Sequence, residues 1–173
     1  MKKSVVALLL FVCGLTSCGY HLAGKRLNAG RGQTIAVPTF INRTTLGYRL
    51  EQRFSEAVRQ ELVRRTHFSV ESGASGDVLV SGEVLSMTLS PVILSPPPTS
   101  RGSTYALIVD MKVNVIDTRT NTPIFQNDHW TFRDVFDLSQ NSSDFVPEDS
   151  AAMDRLSRRF AATLVDTLLH AKP

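Results

Sequence analysis

The chain has 173 residues, 42% hydrophobic and 20% charged, with two cysteines and a formal charge of +3. That length favours one domain, and the composition excludes both a disordered chain and a disulfide scaffold. A pI near 9.1 would normally bring nucleic acid into consideration, but part of that charge sits in a segment set apart from the fold.

Met1, Lys2 and Lys3 form a positive start, and Val5 to Val12 is an apolar run with no break. A basic n-region, a short apolar h-region and small residues before a cut describe a secretory signal. The run is too short to span a bilayer, which needs roughly 20 residues. Leu15-Thr16-Ser17-Cys18 looks like a bacterial lipoprotein box, with cleavage before Cys18 and a lipid on its thiol. Gly19 follows, where an aspartate would resemble an inner-membrane retention signal, so export to the outer membrane is expected. Each buried lipid CH₂ contributes about 0.8 kcal/mol, so several acyl chains anchor durably where one would not.

The expected organisation is a signal peptide over 1–17, a lipidated linker over 18–32 and a single domain over 33–173. Cys13 then leaves with the signal and Cys18 is acylated, which excludes thiol catalysis and cysteine-ligated metal. The only expected prosthetic group is that covalent lipid. Losing Lys2 and Lys3 takes the charge from +3 to +1, and nucleic acid drops from the expected partners.

In the mature chain, Thr34 to Phe40 reads as a short strand whose Pro38 places it at an edge or a strand end. Asn42, Thr44 and Thr45 are turn and cap residues ahead of a helix. On that helix Leu50, Phe54, Ala57, Val58 and Leu62 make one apolar stripe. Phe68-Ser69-Val70 is a short extended piece. Val78 to Leu89 is a strand interrupted by Gly82, a candidate bulge. Tyr105 to Asp117 alternates, with Asp110, Lys112 and Asn114 on its polar side. A turn over 117–122 returns the chain as a third strand, Ile124 to Phe136. A closing helix from about Glu148 to His170 has Met153, Leu156, Phe160, Ala161, Leu164, Val165 and Leu168 as its stripe. The order β-α-β-β-β-α predicts an α+β two-layer sandwich. Two helices pack on one face of a mixed, mostly antiparallel sheet whose strands are unusually long.

Cys18-Gly19-Tyr20-His21-Leu22 and Ile35-Ala36-Val37-Pro38-Thr39-Phe40-Ile41-Asn42-Arg43-Thr44 resemble the LptE family of lipopolysaccharide-assembly lipoproteins. So do Leu50-Glu51, Ala74 to Gly82, Tyr105, Asp117-Thr118-Arg119-Thr120 and Glu148 with Ala151-Ala152. The resemblance covers nearly all of the mature chain. It implies an outer-membrane lipoprotein, facing the periplasm, that complexes with and plugs the large LptD-type β-barrel and helps deliver lipopolysaccharide to the surface. The chain departs from the family at Pro91 to Ser103, where Pro96-Pro97-Pro98 stiffens and lengthens the connection. No lipopolysaccharide-contacting residue is carried over. A generic envelope lipoprotein binding lipid or peptidoglycan without a barrel is the alternative.

Two groups of residues are candidate contacts. Arg49, Arg53 and Arg59 form a basic side on the first helix, suited either to a solvated face or to the barrel or lipopolysaccharide, since arginine forks match phosphate. Val92, Ile93 and Leu94 beside Pro96, Pro97 and Pro98 are expected to form a barrel-docking loop. His21, His67, His129 and His170 lack metal-ligand spacing. Asp128 and His129 are neighbours in a strand, so they are expected on opposite faces and not as members of one triad. No enzymatic motif is found, and neither metal nor catalytic residues are expected. Residues 18–76 carry nine bases against four acids, and residues 77–173 eight against twelve. The near-neutral total therefore hides a polarity between two faces or two ends.

Overall fold

The structure is a computed structural model and describes residues 33–45, 49–92, 102–139 and 151–170. The signal segment, Cys18, the linker, His21, Ile93 to Pro98 and the start of the closing helix before Ala151 lie outside those residues. Eight elements follow in order: β1 (Thr34–Ala36), β2 (Ile41–Asn42), α1 (Leu50–Arg65), β3 (Ser69–Glu71), β4 (Val78–Pro91), β5 (Gly102–Asp117), β6 (Thr122–Ser139) and α2 (Ala151–His170). The sheet order is β3-β1-β4-β5-β6, with β2 also on β4. The short strands pair parallel, and β4–β5–β6 pair antiparallel. The expected α+β sandwich is found, with two short strands added to it: β3, which falls on the extended piece read at Phe68 to Val70, and β2, which the sequence reading lacks. Their two and three residues are too few to show a period in the sequence.

Both helices lie on one face because their apolar stripes and the alternate residues of the strands must cover each other. Leu50, Phe54, Val58 and Leu62 of α1, with Met153, Leu156, Phe160, Leu164 and Leu168 of α2, are buried against Val78, Val80, Val84, Val109, Met111, Val113 and Val115. Phe160 is the centre of this core. Its ring makes edge-on contacts with Phe40, Phe54, Trp130 and Phe132, at centroid distances of 6.2, 5.4, 5.9 and 5.3 Å. The helices run parallel. Arg53 bonds Asp154 and Arg65 bonds Asp166, each at 3.0 Å, so the rungs are twelve residues apart on both helices. Such half-exposed pairs contribute about 0–1 kcal/mol each, so they mark the helix register while the apolar seam supplies most of the stability.

The three long strands hold 14, 16 and 18 residues, or about 46–59 Å at 3.3 Å per residue. The helices span only about 24 and 30 Å. Two helices of that length cannot cover such strands from end to end. Three extra residues bend the ladders: Leu85 on β4, one residue at Asp128–His129 on β6, and Ile124 on β6. Gly82, expected to be a bulge, is instead in register with Val113. Its missing side chain makes room for the Phe40 ring, which a Cβ at Gly82 would approach to 2.7 Å.

Candidate functional site on the helix-free face of the sheet

The opposite face of the sheet carries no helix among the described residues. Ser81, Glu83, Ser86 and Thr88 of β4, Asp110, Lys112 and Asn114 of β5, and Thr131 and Arg133 of β6 project from it, as the register and the two-residue period require. The bulge at Asp128–His129 alters the sequence expectation here. An extra residue in one strand turns two consecutive side chains toward the same side. Lys112 Nζ lies 3.0 Å from Asp128, and His129 Nδ1 lies 2.8 Å from Asp110. Asp128 and His129 therefore share the outer face and do not oppose each other. They still form no triad: His129 takes Asp110 as its carboxylate, Thr131 donates to that same Asp110 at 3.3 Å, and Asp128 is held by Lys112. Four successive polar residues, Gln126 to His129, break the alternation in the sequence, and that break is the signal of the bulge.

The hydrogen bond from Lys112, and then its charge, hold the Asp128 carboxyl below the usual 3.8. The same bond holds the Lys112 ammonium above 10.5. A lowered carboxylate gives its contribution above its unfolded pKa and loses it as pH falls through the folded value. A raised ammonium gives its contribution below its unfolded pKa and loses it as pH rises through the folded value. The pair is thus intact from mildly acidic to alkaline conditions. In Lys112→Met, the Asp128 titration followed by carboxyl NMR is expected to move up toward the ordinary carboxylate value. An unmoved midpoint would mean that the pair does not form in solution.

Lys112 also borders an open groove of about 280 Å³, lined by Pro38, Thr39, Ile41, Ser81, Glu83 and Asn114. The groove exists because β1 pairs with Val78 and Leu79, β2 pairs with Glu83 and Val84, and the chain between them leaves the sheet. Asn114 Oδ1 is buried there with no hydrogen-bond partner among the described residues. Arg43 closes one side by donating to Glu83 at 2.9 Å. This face can hold polar groups, but among the described residues it offers no cluster of three potential metal ligands.

The three candidate arginines fall into different surroundings. Arg49 precedes α1 in the left-handed region, at φ 62°, and donates to Gln52 at 2.7 Å. Arg53 reaches across to Asp154 of α2. Arg59 points the other way, donating to the Val37 carbonyl at 2.9 Å and to Glu56 at 3.1 Å. Arg53 and Arg59 thus flank α1 on two sides. Of the candidate loop, Val92 is described: it is half-buried, and its N–H donates to the Thr104 carbonyl at 2.8 Å. His67 is exposed, and His170 sits in the last turn of α2 with Nδ1 2.8 Å from the Asp166 carbonyl. Asn42 accepts from both the N–H and the hydroxyl of Thr44, the turn role expected of it.

Charge separates by layer. The helices with Arg49 carry eight bases against five acids, whereas residues 69–92 and 102–139 carry three against eight. Among the described residues no helix is long and apolar enough to cross a membrane.

The family model for LptE, described as lipopolysaccharide-assembly, matches residues 32–171. The chain belongs to the LptE family. No curated protein matches it. Among solved structures, the hypothetical protein CT253 of Chlamydia trachomatis is similar at a TM-score of 0.57 and 16% identity, over 81% of this chain and 97% of that one. Protein XCC0632 of Xanthomonas campestris is similar at a TM-score of 0.52 and 10% identity, over 80% and 85%. At these identities the likeness is one of fold: two helices on one face of a long-stranded sheet. The LptE match starts within two residues of β1 and ends just past α2, so it takes in both layers of the sandwich.

Proposed function

We propose that this chain is an outer-membrane lipoprotein that complexes with and plugs an LptD-type β-barrel and assists lipopolysaccharide assembly at the cell surface, without catalysing a reaction. The observation that carries this reading is the LptE match across both layers of the fold. Acyl chains on Cys18 hold the protein at the periplasmic side of the outer membrane. Size is consistent with a plug: a chain of 156 residues from Cys18 to Pro173 has a radius of gyration of about 15 Å, which a barrel at the large end of the known range can admit. The segment from Val92 to Pro98 is the docking element, and Arg49, Arg53 and Arg59, at the start and on the two flanks of α1, meet anionic groups of lipopolysaccharide or of the barrel.

The test is a pull-down of the full chain in mild detergent, with photocrosslinkers at Val92 and, as a control, at Thr120 in the β5–β6 turn at the opposite end. A stoichiometric large barrel, crosslinked from Val92 and not from Thr120, is expected. Lipid or glycan without a barrel would favour the generic envelope lipoprotein instead. Arg49, Arg53 and Arg59 are replaced together by glutamine, which removes the three charges. At 49 and 59 the amide N–H stands where the arginine Nε donated to Gln52 and the Val37 carbonyl, whereas at 53 it is too short to keep the Nη1 bond to Asp154. Unchanged barrel and lipopolysaccharide binding in that triple variant would remove the arginines from the site.

A further inference from the structure

We infer that the outer edge of β6 is a self-complementary strand-pairing surface for a second copy of this chain, held closed by Arg155 and Arg159 of α2.

The direction of the backbone groups follows from one bond. The Val92 N–H donates to the Thr104 carbonyl, so even-numbered residues of β5 direct their N–H and C=O toward β4. Odd-numbered ones then face β6. Tyr105 is opposite Phe136, Leu107 opposite Asp134 and Val109 opposite Phe132. Even residues of β6 are consumed by β5, and Thr131, Arg133, Val135 and Asp137 direct their backbone groups outward. Among the described residues β6 is the last strand of the sheet.

A row of unpaired groups of this kind is a template for another strand unless something blunts it. Lower on β6, Pro123 and the two bulges do so. From Thr131 to Ser139 the strand has no proline and no register shift, and it carries an exposed Val135. Here α2 supplies the cover. Arg159 donates to the Arg133 carbonyl at 2.8 Å. Arg155 is fastened to Asp134 at 2.9 Å and extends to the Val135 carbonyl at 3.5 Å. Two successive outward carbonyls of the regular segment are thereby occupied.

The occupant is specified by what the edge presents. Antiparallel pairing centred on Val135 sets it against the partner's Val135. The same register sets Arg133 against the partner's Asp137, and by symmetry Asp137 against the partner's Arg133. An apolar centre with an opposite-charge pair on each side suits cross-strand neighbours.

The experiment compares the full chain in mild detergent with its Arg155→Ala/Arg159→Ala variant, by light scattering corrected for bound detergent. The wild type is expected to be monomeric and the variant to dimerise with rising concentration. Arg159→Ala alone, which leaves the Arg155–Asp134 pair intact, is expected to dimerise more weakly and serves if the double variant does not fold. Adding Asp137→Arg should return the variant to a monomer, and adding Arg133→Asp as well should restore the dimer. A folded variant that stays monomeric at every concentration overturns the inference, as does a dimer indifferent to Asp137→Arg or a wild type that dimerises equally.

Discussion

Replacing Phe160 with alanine is expected to cost about 3–5 kcal/mol of folding stability, the range for emptying a buried aromatic site. Phe160 is fully buried, and its ring touches one element of nearly every kind: Phe40 before β2, Phe54 on α1, and Trp130 and Phe132 on β6. Removing it opens a cavity that no single neighbour can fill, because each surrounding ring is held by its own element. A loss of this size is a large fraction of the roughly 5–15 kcal/mol that a domain possesses. Urea unfolding gives the measurement, and Trp130, the single tryptophan, reports from within the cluster. The midpoint should fall by about 2 M for a slope near 2 kcal/mol/M. Phe160→Leu should cost far less, since it refills most of the space. A loss below about 1 kcal/mol for alanine would mean that the rings do not pack around Phe160 in solution.

The parts of this fold that the sequence discloses are those with a long period. The stripes of α1 and α2 and the alternation of β5 extend over enough residues for burial to impose a repeat, and all three faces are found where that repeat puts them. β2 and β3 have no such length. They exist because β4 and β1 offer them a backbone to pair with, a fact of tertiary structure. The bulge shows a subtler limit. A period-two rule assigns Asp128 and His129 to opposite faces, and one inserted residue cancels that assignment. The charge pattern was visible as a basic front and an acidic back. α2, although in the acidic back half, carries three arginines against two acids, and it joins α1 to make the helix layer positive. The polarity along the chain thus becomes one across the sandwich as well, helix layer against sheet. A helical wheel sets Arg53 and Arg59 about 120° apart, but it does not name the distant partners they take, Asp154 and the Val37 carbonyl, 101 and 22 residues away in sequence.

Gly82 carries the second large prediction, and its sign can be reversed by a second change. Within a strand, glycine is normally a liability, and alanine would ordinarily gain about 0.5–1 kcal/mol. Here Gly82→Ala is expected to lose about 1–3 kcal/mol instead. A Cβ at this position would come within 2.7 Å of two ring atoms of Phe40 and 2.9 Å of a third, distances that no side chain tolerates. Phe40 cannot easily retreat, because it is 4% exposed and its ring lies edge-on against Phe160. The ring also sets the path of Pro38 to Ile41, which forms the lip of the outer groove. Phe40→Ala by itself should cost about 3–5 kcal/mol. In that background Gly82→Ala has room for its methyl, and the same substitution should become neutral or stabilising. The coupling read from the four-protein cycle should therefore be about 2–3 kcal/mol, at the upper end for contacting residues. Equal losses with and without the Phe40 ring would show that the glycine is needed for backbone conformation, and that the close fit against Phe40 is not what keeps it there.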